Sequence, residues 1–300
     1  MTDWEGDWTP GTAVDLAEDA MRLGLKMKAR GVLRHVEVGL LAPPVRRKTT
    51  QRGSDMAVFP PEQRRLFYEI NKAKIRSPLA KVPHHTLVPV VLNVWLEHDG
   101  VVTDGQARRA LKTHALKTGF SSGPRRSSTV ARVIGQVASP QATGAQLQAA
   151  KKCLVDGERS RNPDWDTVAE VLYSVANPWR SRGCPIEIAF GPPQAPMTTD
   201  QMVASWEATW SATQRLEFES VPEPVLRRVR DMHREDWAEY LQRRPQLQAD
   251  AGSRADLFAL PEDPEMRARQ QVNGFVTVLA GNLGLIRGAV QRAEARRQRR

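Results

Sequence analysis

The order of signals in residues 33–67 constrains the fold of this chain more than any other feature. A short helical stretch is followed by Gly39, which is expected to end it. Glycine is common at helix C-termini because it adopts left-handed conformations without steric cost. Pro43-Pro44 then forbids further helix. A polar, basic stretch and a short strand over 56–59 follow, and Pro60-Pro61 opens the next helix. The sequence therefore predicts a helix, a basic loop or hairpin tip with a short strand, and another helix, in that order.

Apolar residues at helical spacing predict further helices on both sides of this stretch. Upstream, Thr12 is a candidate N-cap for a helix over 12–30, and a second helix is expected over 32–38. Downstream helices are predicted over 62–74, 86–96, 104–116, 142–154, 162–176, 199–216, 222–241 and 264–296, the last as one helix or two.

Charge is concentrated in the first part of the chain. The net charge of the whole chain is +10, but residues 22–81 alone carry 15 Lys and Arg against four acidic residues. Residues 136–300 are almost neutral, with 22 basic and 21 acidic residues. A generally basic composition would spread its cations evenly, whereas a local excess is typical of a surface that attracts phosphate backbones.

Several classes of protein lack support in the sequence. Cys153 and Cys184 form no close pair, and no Gly-rich phosphate loop, G-x-S-x-G or H-E-x-x-H motif occurs. Residues 1–21 are acidic, unlike a secretory leader, and the most apolar stretch, 274–286, is too short to span a bilayer. We expect a cytoplasmic protein that is not an enzyme, with no cofactor, no metal site and no membrane partner.

Residues 33–67 resemble the winged-helix DNA-binding domain of the MerR family of bacterial regulators, which some phage excisionases share. The resemblance lies in Leu33-Arg34-His35-Val36-Glu37, then Gly39-Leu40-Leu41, then Pro43-Pro44, a basic wing over 46–55 and Phe59. It covers about 40–60 of the 300 residues and implies binding of double-stranded DNA.

The resemblance also implies which side chains would contact DNA. Arg34 and His35 fall on the recognition helix, and Lys26, Lys28 and Arg30 come just before Arg34; Arg46, Arg47, Lys48 and Arg52 fall on the wing. Long polar side chains on a helix can reach base edges, whereas cations on a wing contact phosphates. Two alternatives remain open: Arg34 could instead pair with Glu37, three residues on, and the wing could be a solvated loop.

Together these observations predict a mainly α protein with two domains. A winged helix with a short β-hairpin wing and a helical extension would occupy 1–122, a linker 123–135, and a helical domain 136–300. The expected function is sequence-specific DNA binding by a bacterial transcriptional regulator, with a homodimer possible. The alternatives are an excisionase-like or replication-associated protein of a mobile element, and a protein-interaction scaffold.

Overall fold

The computed structural model is mainly helical and contains one small antiparallel sheet, which confirms the predicted helical class. One compact unit comprises 1–115, 215–236 and 260–275, and a second comprises 116–214, 237–259 and 276–300. No helix in the described ranges is long and apolar enough to cross a membrane. The structure describes residues 8–47, 56–76, 82–118, 130–131, 134–135, 137–160, 162–178 and 197–298.

Helix α1 (Ala13–Arg22) begins at the predicted N-cap and ends earlier than predicted. The Thr12 hydroxyl accepts a hydrogen bond from the Asp15 amide at 3.3 Å, and the Asp15 carboxylate accepts one from the Thr12 amide at 2.7 Å. The predicted continuation to Arg30 is wrong, because the chain turns at Gly24, which has a φ of +81°. The amides of Gly24 and Leu25 bond back to the last turn of α1 and close it in a Schellman motif.

Helix α2 (Ala29–Glu37) starts three residues before the predicted position and ends as predicted. Gly39 has a φ of +82°, and its amide bonds to the Val36 carbonyl at 3.1 Å. The Leu40 amide bonds to the His35 carbonyl at 2.8 Å, which completes a second Schellman motif. The expected role of Gly39 as a helix stop is confirmed.

Three short strands form the sheet. Strand β1 (Gly11–Thr12) and strand β2 (Val45–Arg47) both pair antiparallel with strand β3 (Met56–Phe59), so the order is β1-β3-β2. Val45 lies opposite Val58, and Arg47 lies opposite Met56. Strands β2 and β3 therefore form a hairpin, which the resemblance implied and the basic stretch alone left open, while residues 48–55 lie outside the described residues.

Helix α3 (Pro61–Arg76) begins at a proline and covers the N-terminal core. Leu66, Phe67 and Ile70 are fully buried, on one face as predicted. Arg64, on the same helix, donates two hydrogen bonds to the Asp19 carboxylate at 2.6 and 3.0 Å. Because Asp19 is almost buried, this bidentate pair fixes α1 against α3.

A 3₁₀ turn (His84–Leu87) leads into helix α4 (Val88–Glu97), and helix α5 (Asp104–Thr118) follows. Both helices confirm the predictions for 86–96 and 104–116. The residues predicted to face inward on α5 are all buried: Ala107, Leu111 and Ala115.

The buried side chains of Gln63 and Gln106 join α3 and the loop after α2 to α5. The Gln63 amide oxygen accepts from the Ala42 amide at 2.8 Å, and its nitrogen donates to the Val101 carbonyl at 2.6 Å and to the Gln106 side chain at 3.0 Å. Gln106 in turn donates to the Leu40 carbonyl at 3.1 Å. These hydrogen bonds tie the loop after α2, helix α3, the turn before α5 and α5 itself to one another.

The first unit is completed by chain segments from far along the sequence. Residues 215–236 and 260–275, which we expected in the C-terminal domain, belong to this unit. Phe275 packs edge-on against Trp95 with ring centroids 5.3 Å apart. Arg234 donates to the Trp95 carbonyl at 3.2 Å and pairs with Asp99 at 3.0 Å. The predicted linker, 123–135, lies mostly outside the described residues.

The second unit is helical in its described part. Helix α6 (Gly144–Arg159) starts at a Thr143 capping box, and helix α7 (Trp165–Ala176) starts at Asp164, whose carboxylate accepts two backbone hydrogen bonds. The last helices break at Gly284, which has a φ of +70°. Further helices in the described ranges are α8 (Thr199–Glu217), α9 (Glu223–Ala251), α10 (Pro264–Asn282) and α11 (Leu285–Gln298), with a 3₁₀ turn (Gly252–Phe258) after α9.

Candidate nucleic-acid interface

Helix α2 has one buried face and one exposed face. Val32 and His35 have no exposed surface and point into the core. On the opposite side, the exposed residues are spaced three and four apart, within an arc of roughly 100° at 100° per residue. They are Arg30, Leu33, Arg34 and Glu37. The helix therefore presents a narrow polar stripe with one apolar residue in it.

Cations also precede this stripe. Lys26 and Lys28 are exposed in the turn between α1 and α2. Lys28 occupies the N-cap position of α2 and makes no side-chain cap hydrogen bond, since an ammonium group donates but cannot accept from the helix amides. The predicted cations Lys26, Lys28, Arg30 and Arg34 are therefore all exposed, at the start of α2 and on its outer face.

The alternative role for Arg34, an ion pair with Glu37, is not formed. Both side chains are exposed, and no salt bridge joins them in the described part of the chain. The positive charge of Arg34 instead acts on His84, where it contributes to lowering the pKa of that imidazole, after burial and Lys74. The guanidinium of Arg34 is therefore not committed to a structural partner on its own helix.

His35, predicted to contact DNA, is placed inside the core, and we withdraw that assignment. Its Nδ1 lies 2.9 Å from the Gly31 carbonyl, and its ring lies 5.3 Å from Phe67 and 4.5 Å from His84. Burial lowers the pKa of His35 to about 4, so the ring is neutral at pH 7. A side chain with no exposed surface cannot reach DNA; His35 instead holds α2 against α3 and the turn at His84.

The hairpin carries cations near its base. Arg46 is exposed on β2, opposite Ala57, and Arg47 pairs with Met56 through the backbone. The side chain of Arg47 and all of Lys48 and Arg52 lie outside the described residues. Val45 and Met56 are also exposed, so the described part of the hairpin presents apolar as well as basic side chains.

Two features of this region were missed by sequence reasoning. Arg64 counts toward the local positive charge, yet its guanidinium is bound to Asp19, and nothing in the local pattern signals that pairing. Leu33 belongs to the family pattern in the sequence, yet it is 44% exposed on the outer face of α2 beside Arg30 and Arg34. Its spacing of three from Arg30 and four from Glu37 was the signal that could have revealed this.

The described residues offer little for other chemistry. They contain no group of three or more His, Cys, Asp or Glu side chains arranged to hold a metal ion. The half-buried ring of His84 lies tilted against the ring of His35, with the ring centroids 4.5 Å apart. Burial raises the pKa of the Cys153 thiol, which keeps it protonated and weakly nucleophilic at neutral pH.

No family model matches this chain, and the comparisons with curated proteins and with solved structures find no match either.

Proposed function

We propose that residues 8–76 form a winged helix that binds double-stranded DNA, with α2 as its recognition helix and the hairpin of β2 and β3 as its wing. The observation that carries this proposal is the orientation of α2, whose exposed face bears Arg30 and Arg34 while Val32 and His35 anchor the other face. The concentration of positive charge in residues 22–81 supports it.

The two elements would have different tasks. Arginine side chains in the major groove read guanine, and a carboxylate such as Glu37 accepts from the amino group of cytosine. A surface that contacted phosphates alone would gain nothing from an exposed acidic residue. Lys26, Lys28 and Arg46 would contact the phosphate backbone, together with Arg47, Lys48 and Arg52 of the wing. Such contacts orient a protein on the duplex without selecting its sequence.

The role that fits this division is a cytoplasmic bacterial transcriptional regulator that acts without catalysis. The helices of the second unit would then bind an effector or a second copy of the chain. An excisionase-like or replication-associated protein would use the same DNA contacts to mark or bend a site. A protein-interaction scaffold would keep the fold without DNA binding.

The salt dependence of binding tests the proposal. The full chain should bind duplex DNA at micromolar concentration or better in low salt. Each neutralised phosphate contributes about 0.9 to the slope of log affinity against log salt concentration. Fluorescence anisotropy with a labelled duplex measures this slope. The absence of micromolar binding at low salt would contradict DNA binding and favour the scaffold.

Two variants separate the tasks of helix and hairpin. Arg34→Ala should reduce the preference for one sequence over another, whereas Arg46→Ala should weaken binding to all sequences by a similar factor. Arg243→Ala is the matched control, because Arg243 is exposed in the second unit and pairs with Glu239 within its own helix. If Arg34→Ala and Arg46→Ala behaved alike, the assigned roles of α2 and the hairpin would be wrong.

Selection of bound fragments from genomic DNA distinguishes the biological roles. A regulator should enrich fragments upstream of genes, and a mobile-element protein should enrich the ends or origin of one element. Enrichment of neither class above input DNA would favour the scaffold.

A further inference from the structure

Leu33 is the apolar residue on the exposed face of α2, and the major groove of DNA presents an apolar group that fits it. Leu33 is 44% exposed, with Arg30 one helical turn before it and Glu37 one turn after it. An isolated exposed leucine elsewhere on a surface carries no information. Here it lies on the same narrow face as the residues proposed to reach base edges.

The edges that base pairs present in the major groove are hydrogen-bond donors and acceptors, with one apolar exception. That exception is the C5-methyl group of thymine, which apolar side chains recognise by contact. We propose that Leu33 contacts a thymine C5-methyl group and makes this protein select sites with a thymine at that position. The inference rests on the proposed DNA binding and adds the base that one position of the site must contain.

Charge complementarity favours DNA over an apolar protein surface as the occupant of this face. The neighbours of Leu33 on the surface include Arg30 and Arg34, and Lys26 and Lys28 lie in the turn that precedes the helix. One leucine among charged side chains offers little apolar area to a protein partner, whereas protein interfaces depend on larger buried apolar clusters. A single methyl group requires only one such contact.

Replacing thymine by uracil removes the methyl group and keeps every hydrogen-bonding group of the base. The test uses the full chain and a duplex obtained by selection, with uracil placed at each thymine in turn. Wild-type protein should bind about fourfold more weakly at one position, as expected for the loss of one methyl group from an apolar contact. Leu33→Ala should bind the thymine and uracil duplexes equally at that position.

A matched variant separates this contact from a general loss of apolar surface. Met21→Ala changes another exposed apolar residue, 54% exposed on α1, and should keep the discrimination between thymine and uracil. Circular dichroism should show both variants folded, because neither side chain is in the core.

The possible results separate this inference from the proposed function. If the wild type binds its site with a steep salt slope and ignores every uracil substitution, the thymine contact is wrong and DNA binding stands. If Leu33→Ala discriminates as well as the wild type, another residue reads the methyl group, and the assignment to Leu33 is overturned. If the chain binds no duplex at all, both proposals fall.

Discussion

The buried imidazole of His35 makes the stability of the first unit depend on pH. The pKa of an unburied histidine is about 6.5, whereas burial lowers that of His35 to about 4 in the folded chain. Between these values the unfolded chain binds a proton that the folded chain does not. The free energy of unfolding should therefore be highest above about pH 6.5 and should fall as the pH decreases toward 4.

The expected contribution of His35 is about 3 kcal/mol over this range, at about 1.4 kcal/mol per pKa unit. Urea unfolding at several pH values from 4 to 7.5 measures it. His35→Phe keeps an aromatic ring against Phe67 and removes the titrating group, so its stability should vary less with pH.

His114 is a second buried imidazole in the same unit, and its pKa is also lowered to about 4 by burial. His114→Phe should reduce the pH dependence separately, and the double variant should reduce it further. Carboxyl groups with lowered pKa values, such as Asp15 and Asp99, titrate below this window. A His35→Phe variant with the pH dependence of the wild type would show that His35 is not buried in the neutral form.

At the scale of elements, the ends of α1 and α2 use the same motif with different surroundings. Gly24 and Gly39 both have φ values near +80°. In the described part of the chain, no atom other than those of Gly24 and its two chain neighbours lies within 4 Å of a Cβ placed on Gly24, whereas a Cβ on Gly39 would lie 2.3 Å from the Ala110 backbone nitrogen. Gly39 therefore allows both the left-handed turn at the end of α2 and the close approach of α5 to that turn.

Replacing each of these glycines by alanine should separate the free-energy cost of a left-handed conformation from the cost of steric overlap. Gly24→Ala should lower the free energy of unfolding by about 1–2 kcal/mol, the cost of a left-handed residue with a side chain. Gly39→Ala should lower it by about 3–5 kcal/mol, because overlap with a backbone that cannot move away adds to that cost. Urea unfolding of both variants measures the difference, and equal losses would contradict the close approach of Gly39 to α5.

The buried hydrogen bonds of Gln63 should stabilise the first unit as much as a buried apolar side chain does. Gln63→Leu keeps the volume of the side chain but leaves the Ala42 amide and the Val101 carbonyl without their partner. Each unsatisfied buried group costs about 1–3 kcal/mol, so the variant should lose about 2–5 kcal/mol in urea unfolding. Gln242→Leu, at an exposed position of α9, is the control and should change stability by less than about 0.5 kcal/mol.

At the scale of the whole molecule, the N-terminal elements depend on segments that arrive more than 100 residues later. Trp95 is covered by Phe275 and by the guanidinium of Arg230, which lies 5.5 Å from the centre of its indole ring. Arg234 also donates to the Leu96 carbonyl at the end of α4. A fragment that stops at residue 122 would expose these surfaces to water.

Removing Phe275 should therefore destabilise the N-terminal part of the chain. Phe275→Ala should lower the free energy of unfolding by about 3–5 kcal/mol, the usual cost of deleting a buried aromatic side chain. Hydrogen exchange should become faster in α3 and α4 of this variant. Phe218→Ala, at a residue that is 69% exposed, is the control; unchanged exchange in Phe275→Ala would indicate that the N-terminal elements fold independently of the later segments.

Local signals predicted the elements that depend on neighbouring residues. Thr12 caps α1, Gly39 ends α2 and Pro61 begins α3, because capping and backbone preference act over only a few residues. The turn at Gly24 was not foreseen, since apolar residues continue at helical spacing from Val14 to Leu25. A single glycine within such a pattern is compatible with either a helix or a turn.

The sequence by itself determined the mainly helical class, the short strand over 56–59 and the concentration of positive charge near α2. Only the tertiary structure decided which of those charges face outward, because burial depends on what packs against a helix. It placed His35 in the core, bound Arg64 to Asp19 and left Leu33 exposed between Arg30 and Glu37. It also brought 215–236 and 260–275 into the first unit, since contacts between distant segments leave no local pattern.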